Sequence, residues 1–516
     1  MLLVCAALPA SAAWGASLSE QETRGKEIFL HGESADGREI TAYVGQASVA
    51  VPANAMPCAN CHGADGLGRP EAGVTPANIT WNRLTKPYGV VSASGHRRSG
   101  AYDDSSLQRA IVAGVDPADN RLDPSMPRYR MSDADLGDLV AYLKRLESDR
   151  DPGLHPDKIV VGTVIPRHGP MADAGEAVTA VLSAYFADLN ARGGIYSRGL
   201  ELVAARADSP TGALERAGEL LGSGQIFALV GPVTAGVDEP FAALAEEHKT
   251  PFIGPITQSP PADTRLRRYT FYIYAGPELQ ARALVEFATS RLPDPSIEAA
   301  VVHPSSKEGQ ALAQAMTGQA LNRGWAGMRA MEYPDGDMDP GALARELQRS
   351  GVQALFFVGR GPEFAMLAGS ADRLGWSPYL FALGYQAGRE AVRAPARFDG
   401  RLFVAYATSP SDHGAEGRRE FGEFHQRHDL PRQHLPTQIA AYTSAKLLVE
   451  GLSQAGRALT REKLVSALEG LYRYATGLTP PLSYGTNRHV GTAGAYVVSV
   501  DLDKGGFAAG STWIEP

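Results

Sequence analysis

Three cysteines in 516 residues, no long apolar run and no basic surplus are what this chain most plainly lacks. Cys5, Cys58 and Cys61 are too few for a scaffold built on disulfides. No internal stretch reaches the ~18 apolar residues of a membrane-spanning helix. Lys and Arg number 49 against 57 Asp and Glu, a formal net charge of −8. That balance excludes the basic footprint of a nucleic-acid binder. What is present argues for folded protein: 44% hydrophobic residues exclude a mostly disordered chain. The length exceeds one hydrophobic core, so two to four domains are expected.

Residues 1–17, MLLVCAALPASAAWGAS, are apolar and rich in small residues and contain Ala10-Ser11-Ala12, an A-x-A cleavage pattern. The stretch reads as the end of a secretory signal peptide, although the usual basic region is missing. A buried N-terminal helix is the alternative. A lipid anchor on Cys5 fits less well, because Val4 is a poor residue before a lipidated cysteine. Export leaves two cysteines in the mature chain, three positions apart.

Those two sit in Cys58-Ala59-Asn60-Cys61-His62. C-x-x-C-H is the attachment sequence for c-type haem. Two thiols on one turn of chain can each form a thioether on one edge of the porphyrin, and the next residue supplies an imidazole to the iron. One covalently attached haem c is therefore expected, with His62 as axial ligand. A redox-active disulfide would want a strand before the motif and a helix after it. Pro52, Pro57, Gly63, Gly66 and Gly68 surround it instead and read as loop. A zinc site would need two more good ligands, and no second cysteine pair exists.

Met126 is the candidate sixth ligand. It lies 64 residues beyond His62, and Pro124 and Pro127 stiffen its loop. A helix signal follows: Ser132 as N-cap, acids in the first turn, then Leu136, Leu139, Val140 and Leu143 on one face. Met56, Met131 and His96 are the competitors. Helices are also expected from near Ser19 and over 104–113.

Residues 18–150 resemble the class I cytochromes c. The likeness rests on Gly25 and Phe29 in the first helix, Cys58 to His62, Met126-Pro127, and Tyr142 near the end of the last helix. It implies an all-α domain in which the first and last helices cross at the glycine and the aromatic positions. The stretch 111–129 looks most like cytochrome subunits that accept electrons from quinoprotein alcohol dehydrogenases, which implies a redox partner of that kind.

Asp151-Pro152-Gly153-Leu154-His155-Pro156 has linker composition, and residues 151–158 are expected to be a linker. Beyond it, strand and helix patterns alternate over about 360 residues, enough for two α/β lobes with parallel sheets. Strands are expected over 159–165, 200–205, 226–230, 251–253, 299–302, 354–358, 379–383 and 402–407. Small and polar residues mark their carboxyl ends, where parallel sheets place ligands. Free N–H groups at the helix starts that follow suit a carboxylate. Ordinary β–α turns favour the same residues.

Residues 159–516 resemble the type I periplasmic solute-binding proteins, the branched-chain amino acid receptor family. The matching stretches are Val161 to Pro166, Asn190-Ala191-Arg192-Gly193-Gly194-Ile195, Leu229-Val230-Gly231-Pro232 and Ala440-Ala441-Tyr442. The resemblance implies a flytrap of two lobes closing on a small ligand. Thr234, Ala235, Thr257 and Gln258 would contact that ligand from one lobe, Glu308 and Tyr385 from the other. Amino-acid receptors of the family carry an aromatic residue near the place of Glu308 and an acid near Gln386, so the resemblance implies a small polar ligand, and Gln386 suits an amide or hydroxyl better than an ammonium.

Together these readings describe a periplasmic electron carrier with a fused ligand-binding domain and no enzymatic constellation. The alternatives are a solute receptor for an ABC importer and its permease, with an accessory haem, and a peroxidase with an open iron position.

Overall fold

The computed structural model describes residues 18–68, 75–86, 90–91, 98–169, 171–257, 260, 267–294, 296–325, 327–408 and 414–516. Residues 1–17, the expected signal peptide, lie outside them, as do His96 and Gln258. The chain divides into two compact units, Met1–Arg150 and Asp151–Pro516.

In the first unit the two expected terminal helices form. Helix Glu20–His31 starts at Ser19, whose hydroxyl accepts from the Glu22 N–H while the Glu22 carboxylate accepts from the Ser19 N–H at 2.7 Å. It ends at Gly32 in the left-handed region, φ 70°. Helix Asp133–Arg145 starts at Ser132, whose hydroxyl accepts from the Asp135 N–H at 3.1 Å. The two helices meet at Gly25, where an added Cβ would lie 2.0 Å from the Asp138 carbonyl oxygen. One turn on, Phe29 packs on Tyr142 with ring centroids 5.6 Å apart. A third helix, Asp104–Ala113, adds Leu107 and Ile111 to the same core.

A small antiparallel sheet accompanies these helices. Strand Thr41–Val44 lies between Val49–Pro52 and Arg128–Arg130. A helix-only reading passes over it because each strand has four residues or fewer. Its first two strands turn at Gly45 and Ser48, both at positive φ. The third strand begins directly after Met126-Pro127.

The stretch 151–158 is not a free linker. Leu154 is buried and bridges to Ile159, the Asp151 carboxylate accepts from the Arg461 N–H, and Lys158 opens the first strand. Gly153 sits at φ 76°, against the Phe227 backbone nitrogen, where a Cβ would be 2.2 Å away. Turn-forming residues mark a packed corner here as readily as a loose tether.

The second unit has two lobes. In the first, strand Lys158–Pro166 lies between Gly199–Ala207 and Ala228–Val230, and Phe252–Ile253 and Thr270–Phe271 extend the parallel sheet. Helices Ala415–Arg427, Leu435–Ala455 and Arg461–Glu469 return to pack on this core. In the second lobe, strand Ala299–Pro304 lies between Arg329–Tyr333 and Ala354–Phe357; Tyr379–Leu383 and Leu402–Tyr406 continue in parallel. The antiparallel strands Ala495–Asp501 and Gly506–Ile514 close that sheet. This hairpin is not among the strands expected from the sequence.

The chain passes between the lobes three times: before helix Pro277–Arg291, between Tyr406 and Ala415, and before strand Ala495–Asp501. Two of these passages run side by side. The Tyr272 N–H donates to the His489 carbonyl at 2.8 Å, and the Thr492 N–H to the Ile273 carbonyl at 3.1 Å.

Candidate functional site

Cys58–His62 forms a short helix rather than the expected loop. Pro57 supplies the extended residue before it, and Gly63, at φ 75°, ends it. Proline and glycine bracket this element instead of dissolving it. The helix puts Cys58, Cys61 and His62 on little more than one turn. Both thiols are free and half-buried. His62 is 9% exposed; its Nδ1 lies 2.8 Å from the Ala77 carbonyl oxygen. As the donor to that carbonyl, Nδ1 carries the proton and leaves the Nε2 lone pair free. Burial also holds the imidazole below its ordinary pKa, which favours the neutral, ligating form.

This donor set fits a covalently held haem: two adjacent thiols and an oriented neutral imidazole. The alternatives fit less well. Burial pushes the Cys58 thiol up to about 12, opposite to the lowered pKa of a redox-active CxxC thiol. Among the described residues no group of three His, Cys, Asp or Glu side chains could hold a metal ion.

Met126 is half-buried, in a turn closed by its own N–H on the Asp123 carbonyl at 3.1 Å. Tyr129, three residues on, donates its hydroxyl to the Met56 carbonyl at 2.6 Å. That bond ties the methionine loop to the chain just before Cys58. Met56 and Met131 pack against the unit's own core.

In the second unit, the loop that holds Thr234 and Ala235 lies where strand order reverses. The Val233 N–H donates to the Val164 carbonyl at 2.9 Å, which sets the 231–237 loop beside the end of strand Lys158–Pro166. Thr234 is buried and donates to the Asp238 carboxylate at 2.6 Å. Thr257 also hydrogen-bonds Asp238, while Ala235 is exposed. Asp238 is 8% exposed, and burial raises its carboxyl pKa against the lowering effect of those hydroxyls. Sequence reasoning missed Asp238. The four-residue spacing from Thr234, across a helix start, was the available signal. In the other lobe Tyr385 donates to Glu308 at 2.6 Å, so these two predicted residues do come together. Gln386 accepts from the Gly359 N–H at 3.1 Å, which joins two loops of that lobe.

Residues 158–506 match the periplasmic binding protein family. The chain belongs to that family. Residues 52–147 match cytochrome c, so this binding protein carries a cytochrome c domain ahead of its two lobes. That domain implies covalently attached haem c, and Cys58 and Cys61 lie within the match.

Among similar curated proteins, the Leu/Ile/Val-binding protein BraC3 of Rhizobium johnstonii is 23% identical, over 62% of this chain and 85% of its own length. The Leu/Ile/Val-binding protein homolog 3 of Brucella melitensis is 27% identical over 41% of this chain, but only 56% of its own length is covered. Among solved structures, a fatty acid ABC transporter substrate-binding protein from Thermomonospora curvata superposes with TM-score 0.54 at 19% identity, covering 71% of this chain and 95% of its own. The leucine-binding protein LivK of Thermotoga maritima gives 0.52 at 17% identity, covering 69% and 99%. At such identities the likeness is one of fold. Cytochromes c and periplasmic binding proteins are non-catalytic families, typically periplasmic. No helix among the described residues is long and apolar enough to cross a membrane.

Proposed function

We propose that the chain is an exported one-electron carrier whose binding-protein unit takes a small hydrogen-bonding ligand. The observation that carries the redox half is His62, buried and held by Ala77 with Nε2 free, on one short helix with Cys58 and Cys61. A bound haem supplies a single-electron iron couple there. Cys58 and Cys61 would tether it, and His62 and Met126 would ligate its iron. His and Met ligation favours electron transfer over open-iron chemistry such as peroxidation, and raises the potential relative to two histidines. A quinoprotein dehydrogenase is the donor we propose, and residues 1–17 the export signal.

The test is protein purified from the periplasm. It should be red, heavier by one haem, and without free thiols. A colourless sample with two titratable thiols sinks the redox half. Met126→Ala should keep the haem but lower its potential and erase the weak long-wavelength band of Met-ligated oxidised haem. An unchanged spectrum removes Met126 as ligand.

For the ligand, the acids decide. Each long helix that follows a strand end at the two reversals carries an acid in its first turn: Asp173, Asp238, Glu308 and Glu363. Asp238 already takes the Thr234 hydroxyl, and Glu363 takes the Arg360 N–H at 2.9 Å. Two of these acids thus occupy donors that a ligand carboxylate could otherwise use. A ligand rich in N–H or O–H donors and lacking a carboxylate fits better than leucine. In a thermal-shift screen, small amides and amines should raise the melting temperature, by ~2.7 kcal/mol of added stability at a hundredfold excess over Kd. Leucine, isoleucine and valine should not. A comparable shift with leucine overturns this reading and favours an importer receptor working with an ABC permease.

A further inference from the structure

The methionine loop spans residues 122–127, and its own hydrogen bonds are few. The Met126 N–H reaches the Asp123 carbonyl, the Ser125 N–H reaches the Asp123 carboxylate at 2.9 Å, and the Leu122 N–H reaches the Gly114 carbonyl at 2.8 Å. These close a turn, and the carbonyls of Leu122 and Met126 take a side-chain donor. The guanidinium of Arg128 supplies one. Its Nη1 donates to the Met126 carbonyl, and its Nη2 donates to the Leu122 carbonyl at 2.9 Å and more weakly to the Asp123 carbonyl at 3.4 Å. One planar group thus spans both ends of the loop.

Arg128 is itself fixed from two sides. Its backbone belongs to strand Arg128–Arg130, in register with Tyr43 on the neighbouring strand. Its side chain crosses the end of helix Asp104–Ala113 over Gly114. A Cβ on Gly114 would lie 1.7 Å from the Arg128 Nε and 2.1 Å from Cζ. Gly114, at φ 67°, therefore ends the helix and leaves the channel through which the guanidinium reaches the loop. The next residue, Tyr129, ties the same strand to the Met56 carbonyl.

We propose that Arg128 is a positioning residue for the Met126 thioether: it fixes both ends of the loop and so sets how firmly Met126 would ligate the haem iron. This rests on Met126 being that ligand. The fork is what matters. A lysine keeps the charge but offers a compact ammonium that cannot bridge both carbonyls in one plane.

The experiment uses the full-length holoprotein and three variants: Arg128→Ala, Arg128→Lys and Met126→Ala. Imidazole is the probe for an accessible iron. In Arg128→Ala the haem stays attached, the long-wavelength band weakens, and the potential falls toward that of Met126→Ala. Imidazole should bind the oxidised protein about tenfold more tightly, the size expected when a charge-assisted hydrogen bond holding a competing ligand is lost. Arg128→Lys should fall between wild type and alanine. A merely structural role would lower the melting temperature without moving the band, the potential or the imidazole affinity. If Arg128→Ala matches wild type in all three while Met126→Ala does not, the positioning role is wrong and Met126 stands. If Met126→Ala also matches wild type, the ligand assignment fails and the positioning role with it.

Discussion

Replacing His62 by alanine should abolish stable holoprotein. The side chain is 9% exposed and its Nδ1 is anchored on the Ala77 carbonyl. Alanine removes the imidazole that would ligate the iron, opens a void among packed neighbours and takes an anchor from the short helix. A first-sphere ligand matters more than an outer-sphere partner, whose loss already weakens a metal site by roughly 10- to 100-fold. Haem per polypeptide in periplasmic extracts should fall by at least that factor, read by haem staining against immunoblot. A ligand that shifts the melting temperature of the wild-type binding lobes should shift that of the variant by the same amount. A variant that is as red as wild type would show that another residue holds the proximal position.

Gly25→Val should strongly destabilise the first unit. Replacing glycine inside a helix normally helps, by up to ~1 kcal/mol for alanine. Here the new Cβ would meet the Asp138 carbonyl oxygen at 2.0 Å and the Tyr142 Cβ at 2.8 Å. The obstacle is backbone and cannot rotate away. The helices must separate, and the Phe29–Tyr142 contact and the Arg24–Asp138 ion pair at 2.7 Å go with them. Overpacking costs about 1–3 kcal/mol, and a clash with main chain belongs at the upper end. Gly137 on the partner helix is the control. The nearest atom to a Cβ there is a Gln21 side-chain nitrogen at 4.0 Å, so Gly137→Ala should stabilise slightly. Denaturant titrations followed through the haem absorption measure both. If Gly25→Val unfolds at wild-type denaturant concentration, the close crossing does not exist in solution.

The parts that local chemistry dictates were legible in the sequence. Ser19 and Ser132 announce helix starts because a hydroxyl satisfies orphan N–H groups within three residues. The haem motif is five consecutive residues. The buried parallel strands are continuous apolar runs, and Tyr379–Leu383 forms over the residues expected. What was not legible depends on partners distant in sequence. The short strand Arg128–Arg130 owes its existence to Thr41–Val44, more than eighty positions away. The hairpin from Ala495 to Ile514 could have been suspected from Asp503-Lys504-Gly505-Gly506, a turn between alternating strands. Proline and glycine misled twice, at the Cys58 helix and at residues 151–158, because they mark fixed corners as well as loose chain. Nothing local singled out Arg128, since its acceptors are carbonyls that any sequence supplies.

The thrice-crossed connection between the lobes has a practical corollary for dissection. Residues on both sides of the second lobe, in chain order, are needed to complete the first. A gene truncated anywhere within 277–406 therefore encodes an unfinished first lobe rather than half a receptor. Arg150/Asp151 is the one junction at which a single cut leaves both compact units whole. Split-reporter insertions and separately expressed modules belong there.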